Sequence, residues 1–174
     1  MRQGDTLQNV MLQLKDEAKR KRDFISPAPA LMLYDDGRTL GITRDNQDNG
    51  TAEILQTTDL FHRQVASALN IPAKYYDMMQ RQKPELLATN VNSWLQSRDT
   101  NYMVRTLDYG SGQTARAFLS DRYRRIDNLE IAMAVLPIFT GDEQYEVMSC
   151  AVTSNRLYLK IPYRCSASET NRSN

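Results

Sequence analysis

Arginine and tyrosine crowd into one stretch of this chain. Arg105, Arg116, Arg122, Arg124 and Arg125 lie between positions 105 and 125, interleaved with Tyr102, Tyr109, Phe118 and Tyr123, yet the 174-residue chain has a formal net charge of only +1. Clustered guanidinium groups neutralise phosphates, and aromatic faces stack on unpaired bases at about 1–3 kcal/mol per base. The chemistry that fits is nucleic-acid binding, with single-stranded DNA in replication or recombination as the expected setting. Arg105, Arg116, Arg122, Tyr123, Arg124 and Arg125 form the candidate site, with Arg116, Arg122 and Arg124 on phosphate and Tyr123 stacking. Tyrosine and arginine are also enriched at protein interfaces, so a protein-interaction module or inhibitor of a host factor is the alternative. Asp108, Asp121 and Asp127 fall in the same stretch and can neutralise part of its charge.

A second nucleic-acid pattern lies upstream, in Gln64 to Pro72 leading into AKYYDMM. A helix-turn-helix wants a small residue in its first helix, a turn residue able to take left-handed geometry four positions later, and apolar residues where the second helix docks. Ala66, Asn70, Tyr76 and Met79 have that spacing. Asparagine tolerates the left-handed region. Against a groove reader, Tyr75, Tyr76 and Met78 are less polar than base recognition calls for.

Catalytic patterns are weaker. Asp121 beside Arg122, or Asp127 beside Asn128, could serve acid-base or metal chemistry, but phosphotransfer sites need several carboxylates convergent on a cation. The sequence has no Walker A loop, no G-x-G-x-x-G and no G-x-S-x-G. One histidine, His62, cannot build a histidine metal site, and neither C-x-x-C nor H-E-x-x-H occurs. The reading leans away from an enzyme, with no cofactor and no metal expected.

The elements that must position these residues follow from periodicity. Leu7, Val10, Met11, Leu14 and Ala18 predict a helix from about Asp5 to Arg22, ending in a solvated run of Lys19, Arg20, Lys21 and Arg22. Pro27 and Pro29 oppose helix, and ALMLY-DDG-RTLGI reads as a hairpin turning at Asp36-Gly37. Thr43 to Gly50 is polar and turn-forming, a surface loop. Three helices follow: one capped by Thr58 with Leu60, Phe61, Val65, Ala68 and Leu69 inward, one led by Pro72, and one led by Pro84 with Leu86, Leu87, Val91, Trp94 and Leu95 inward. Asn90 and Asn92 flank that last stripe as surface or capping amides.

From Asn101 the period becomes two, predicting a hairpin around Gly110-Ser111-Gly112 in which Arg105 and Arg116 either face one another or are offset. A helix from about Asn128 to Phe139 presents Leu129, Ala132, Met133 and Leu136, and Tyr145 to Ile161 reads as a third hairpin turning at Ser154-Asn155. The expected architecture is one α+β domain over 1–163: an antiparallel sheet built from hairpins Ala30–Ile42, Tyr102–Ser120 and Tyr145–Ile161, with helices packed on one face. Residues 164–174 are small, polar and aperiodic, expected to be disordered.

Hydrophobic residues are 41% and charged residues 25%, ordinary globular values. No apolar run approaches the roughly 18 residues a membrane span needs, and the N-terminus lacks a signal-peptide core. An intracellular protein without membrane contact is expected, with Cys150 and Cys165 as free thiols.

The segments LFHRQVASALNIPAKYYDMM, PELLATNVNSWL, YMVRTL, ARAFLSDRYRRIDN and SNRLYLK resemble a family of uncharacterised phage, prophage and plasmid proteins, a domain of unknown function. The likeness runs from about Asp23 to Lys160. It implies a mobile-element protein in the cytoplasm of a bacterial host, and it carries no biochemistry to transfer. Similar members are longer, continuing with further sheet, so this chain reads as a C-terminally short member. A sheet edge exposed where they continue could pair with a second copy, a homodimer.

Overall fold

The computed structural model describes residues 7–43, 53–140, 149–152 and 157–161. They fold as a mixed α+β structure in two compact units, one spanning 20–124 and the other combining 1–19 with 125–174.

The larger unit holds a six-stranded sheet formed by β1 (Lys21–Pro27), β2 (Leu31–Leu33), β3 (Thr39–Ile42), β4 (Glu53–Thr57), β5 (Asn101–Asp108) and β6 (Gln113–Ser120). Their order across the sheet is β1-β5-β6-β4-β3-β2, and every pairing is antiparallel except the short parallel one between β4 and β6. Helices α2 (Asp59–Ala68), α3 (Ala73–Gln82) and α4 (Pro84–Gln96) follow in succession. Phe61, Val65, Ala66, Tyr76, Leu87, Val91 and Leu95 from these helices bury against Leu31, Leu33, Leu40, Leu55, Tyr102, Val104, Ala115 and Phe118 of the sheet, one continuous apolar core.

Two expected hairpins stand as read. In the first, the Asp36 carboxylate accepts the Arg38 and Thr39 N–H groups, both at 2.8 Å, and Gly37 supplies the positive φ of 64° that the turn needs. Burial pushes the Asp36 carboxyl up, but the Thr39 hydroxyl, these two N–H donors and the Arg38 charge together outweigh it and hold the group below its ordinary value.

Helix α2 starts at Thr58, whose hydroxyl accepts the Phe61 N–H at 3.3 Å. It ends in a double cap: the Asn70 N–H donates to Ser67 O at 3.2 Å and the Ile71 N–H to Ala66 O at 2.8 Å, with Asn70 in the left-handed region at φ 58°.

Two strands were not legible by period. Lys21 and Arg22, expected as the helix end, begin β1; the preceding helix α1 (Leu7–Arg20) stops at Arg20, whose guanidinium donates to the Asp108 carbonyl. β4 is five residues long and finds its partners in β3 and β6. On α4, Leu86 and Trp94 point outward, 54% and 52% exposed, because Leu87, Val91 and Leu95 already complete the inward stripe.

Asn92 is more than a surface amide. Its Oδ1 accepts the Leu33 N–H at 2.7 Å and its Nδ2 donates to Leu33 O at 2.8 Å, so it stands beside the edge strand β2 as a further strand would. Gln96 Nε2 donates to Pro29 O at 2.9 Å, and Gln80 Nε2 to Gly37 O at 2.8 Å. Side-chain amides thus fasten α3 and α4 to the chain along this margin of the sheet.

In the other unit, Val10 and Leu14 of α1 bury with Ala132 and Leu136 of α5 (Asn128–Thr140) and with Cys150 of β7 (Ser149–Val152). Among the described residues β7 pairs only with β8 (Leu157–Lys160), so the third hairpin forms its own two-stranded sheet instead of joining the large one. Met133, expected inward, is 59% exposed. The loop over 44–50, the turn at Ser154-Asn155, Cys165 and the 164–174 tail lie outside the described residues.

Replacing Asn92 with Ala strands both backbone groups of Leu33 and is expected to lower stability by about 1–3 kcal/mol, whereas Ser93→Ala on the exposed face stays within about 0.5 kcal/mol. Urea midpoints at unchanged m-value measure the difference.

Candidate nucleic-acid interface

The antiparallel pair β5–β6 carries a single irregularity. Arg105 stands opposite Ala117 and Thr106 opposite Ala115, so Arg116 is an extra residue without a cross-strand partner, a β-bulge. Arg105 and Arg116 are therefore offset. One face of this pair presents Tyr102, Val104, Thr106, Ala115 and Phe118; the other presents Met103, Arg105, Leu107 and Ala117.

Arg105 does not join an open surface. In the β1–β5 register Asp23 lies directly opposite it, and Arg105 Nε donates to Asp23 Oδ1 at 3.3 Å with the two side chains only 11% and 4% exposed. Its charge is committed inside the fold. Tyr102 and Phe118 are likewise structural, stacked on each other at 4.4 Å between centroids and buried in the core. Tyr109 is half exposed but sits at the hairpin turn, the opposite end of the strands from Arg122.

What remains open is the corner after β6. Ser120 builds it: the Tyr123 N–H donates to Ser120 O at 3.0 Å and the Arg122 N–H to Ser120 Oγ at 3.2 Å. The turn leaves Arg122, Tyr123 and Arg124 exposed in a row, Tyr123 at 47%. Arg116 is half-buried at the bulge. Arg125 is exposed but belongs to the other unit. Of the six candidate residues, three sit together on one exposed turn.

The acidic neighbours have structural tasks. Asp121 Oδ1 accepts the Ser120 hydroxyl at 3.4 Å. The Asp127 N–H donates to Glu130 Oε2 at 3.2 Å, half of a capping box at the start of α5. Among the described residues no three His, Cys, Asp or Glu side chains are grouped to hold a metal ion, and no helix is long and apolar enough to cross a membrane.

His62 carries a role that its solitude in the sequence concealed. It is 4% exposed, with Nε2 2.7 Å from Thr57 Oγ1 and Nδ1 2.9 Å from the Tyr76 hydroxyl. Thr57 Oγ1 donates its proton to Arg38 O, so it must accept from His62 Nε2–H; Nδ1 is then bare and accepts from Tyr76. Donors and acceptors match with a neutral ring. Burial, joined by the Arg38 charge and only partly offset by Asp59, Asp36 and Asp77, lowers the His62 pKa from 6.5 to about 4. Burial also raises the Tyr76 phenol well above its ordinary value, aided by Asp77.

No protein-family model, curated protein or solved structure matches this chain. The assignment of function rests on the residues themselves.

Arg105→Ala leaves Asp23 buried without its cross-strand partner and is expected to destabilise by about 3–5 kcal/mol, most of it recovered in Asp23→Leu/Arg105→Met. Arg122→Ala and Arg124→Ala are expected within about 0.5 kcal/mol of the parent in the same urea titration. For His62, the unfolded chain takes up a proton below 6.5 while the folded ring resists to about 4. Its contribution is therefore full above pH 6.5 and lost as pH falls, roughly 3 kcal/mol in total and about 2 by pH 5. His62→Gln should flatten that part of the stability-against-pH curve.

Proposed function

We propose that this chain is a mobile-element protein that binds nucleic acid without catalysis, single-stranded in a replication or recombination setting, at the corner Arg122-Tyr123-Arg124. The observation that carries this reading is the consecutive exposure of a cation, an aromatic ring and a cation on a turn fixed by two hydrogen bonds to Ser120. Two guanidinium groups follow a phosphate backbone, and a phenol between them offers a stacking face at low cost in side-chain entropy. Arg116 lies on the strand that delivers the corner, half-buried, and can extend the cationic track. Arg105 takes no part, since its ion pair with Asp23 holds it inside the fold.

Fluorescence anisotropy of a labelled single-stranded oligonucleotide tests the reading. Binding at low salt is expected, with log K falling against log salt at a slope of about −1.4 for two neutralised phosphates on a single strand. Arg122→Ala/Arg124→Ala should abolish most of that slope, and Tyr123→Ala should weaken binding by about 1–3 kcal/mol while leaving the slope unchanged. Absence of any shift at low salt sinks the proposal. A host protein retained on the parent at high salt, but lost with the corner variants, replaces it with the protein-interface alternative.

A further inference from the structure

We propose that α2, the turn at Asn70 and α3 form a helix-turn-helix unit that reads duplex DNA in the major groove through the exposed stripe Lys74, Met78 and Arg81. This goes beyond the single-strand reading and rests on different residues of the larger unit.

The pattern in the sequence is realised in the geometry. Ala66, the small residue, is 2% exposed, and Asn70, four positions on, takes the left-handed conformation at φ 58°. Tyr76 and Met79, where the second helix must dock, are 1% and 5% exposed, and Val65, Leu69 and Ile71 pack into the same core. Burial of Tyr76 takes one of the three apolar residues off the exposed face of the second helix, while Tyr75 and Met78 stay on it, 45% and 43% exposed. The residues it shows to solvent are Ala73, Lys74, Tyr75, Met78, Arg81 and Gln82, with Asp77 half-buried.

Helical spacing sets Lys74, Met78 and Arg81 on one stripe, at i, i+4 and i+7, with Tyr75 and Gln82 beside it. Gln80, on the other side of the helix, is bonded to Gly37 O at 2.8 Å, so the turn between β2 and β3 braces the side away from the stripe.

Charge selects the occupant. From the start of α2 to the cap of α3, positions 59 to 83, the chain has four cations, Arg63, Lys74, Arg81 and Lys83, against two carboxylates, Asp59 and Asp77, a local excess of two in a chain whose net charge is +1. All four cations are exposed. In a major groove the first turns of α3 meet base edges: Lys74 donates to guanine O6 and N7, and Ala73 and Met78 lie against thymine methyl groups. Arg63 on the first helix and Arg81 further along the second neutralise phosphates on either side.

The experiment is selection from a randomised duplex DNA pool by the full chain at low salt, followed by anisotropy on the enriched duplex and on a scrambled one. An enriched motif is expected. Lys74→Ala and Met78→Ala should each weaken the enriched duplex by about tenfold with little change on the scrambled one, while Arg63→Ala and Arg81→Ala weaken both and flatten the salt dependence. These side chains are exposed, and unchanged thermal melting verifies that each variant folds. Failure to enrich any motif, or affinities indifferent to all four substitutions, overturns the proposal. So does duplex binding lost only with Arg122→Ala/Arg124→Ala, a result that would leave the corner reading intact; single-strand binding lost while the duplex motif persists would do the reverse.

Discussion

Beyond Ala115, strand β6 has no described strand beside it on the β4 side, and α2 satisfies its backbone instead. Thr58 N–H donates to Ala115 O at 3.1 Å, Thr58 Oγ1 donates to Arg116 O at 3.1 Å, and the Phe118 N–H donates to Gln64 Oε1 at 2.8 Å. A buried strand edge left without partners costs about as much as the hydrogen bonds it lacks. One helix answers three such groups, and in doing so fixes where α2 starts and how it lies along β6. The Schellman-type turn at Asn70 then sets the path into α3, and the bulge at Arg116 is where the helix cap and the strand meet.

The same device recurs at the other margin, where Asn92, Gln96 and Gln80 bond to the backbone at Leu33, Pro29 and Gly37. Between these margins, the chain of hydrogen bonds from Tyr76 through His62 and Thr57 to Arg38 O ties α3, α2, β4 and the approach to β3 together, running from the buried Tyr76–His62 pair out to the exposed Arg38 carbonyl. Each donor in it has an acceptor, so the network enters the apolar core without leaving a buried side-chain nitrogen or oxygen unsatisfied among the described residues. The helical layer is held to the sheet by directional bonds as well as by apolar burial.

Much of this was legible where a local cause decides the outcome. The cap at Thr58, the helix start at Pro84, the Asp36-Gly37 turn and the left-handed Asn70 follow from residue chemistry within three or four positions. Partnerships across long stretches of chain were not. Nothing near Arg105 signals that Asp23, 82 residues earlier, will lie directly opposite it. β1 was hidden for the same reason, since KRDFISP becomes a strand only because β5 offers it a ladder. Asn92 looked like any amide on a helix flank until the edge of β2 was in place. The candidate site suffered accordingly: proximity in sequence grouped six residues, and the fold divides them among an internal ion pair, a bulge, an exposed turn and a second unit.

The bulge at Arg116 has one more effect. Because side chains alternate along a strand, inserting a lone residue resets the count, which is how Ala115 and Phe118, an odd number of positions apart, come to share the helix-covered side. Losing that residue would transpose inside and outside for everything between it and the Ser120 corner. A change in length that spares this parity has room only at the glycine tip, where Gly110 and Gly112 have nothing packed within 4 Å of the positions their Cβ atoms would take. The stem is held by its parity, and the tip by the positive φ of its two glycines and by the Asp108 carboxylate that accepts both of their N–H groups.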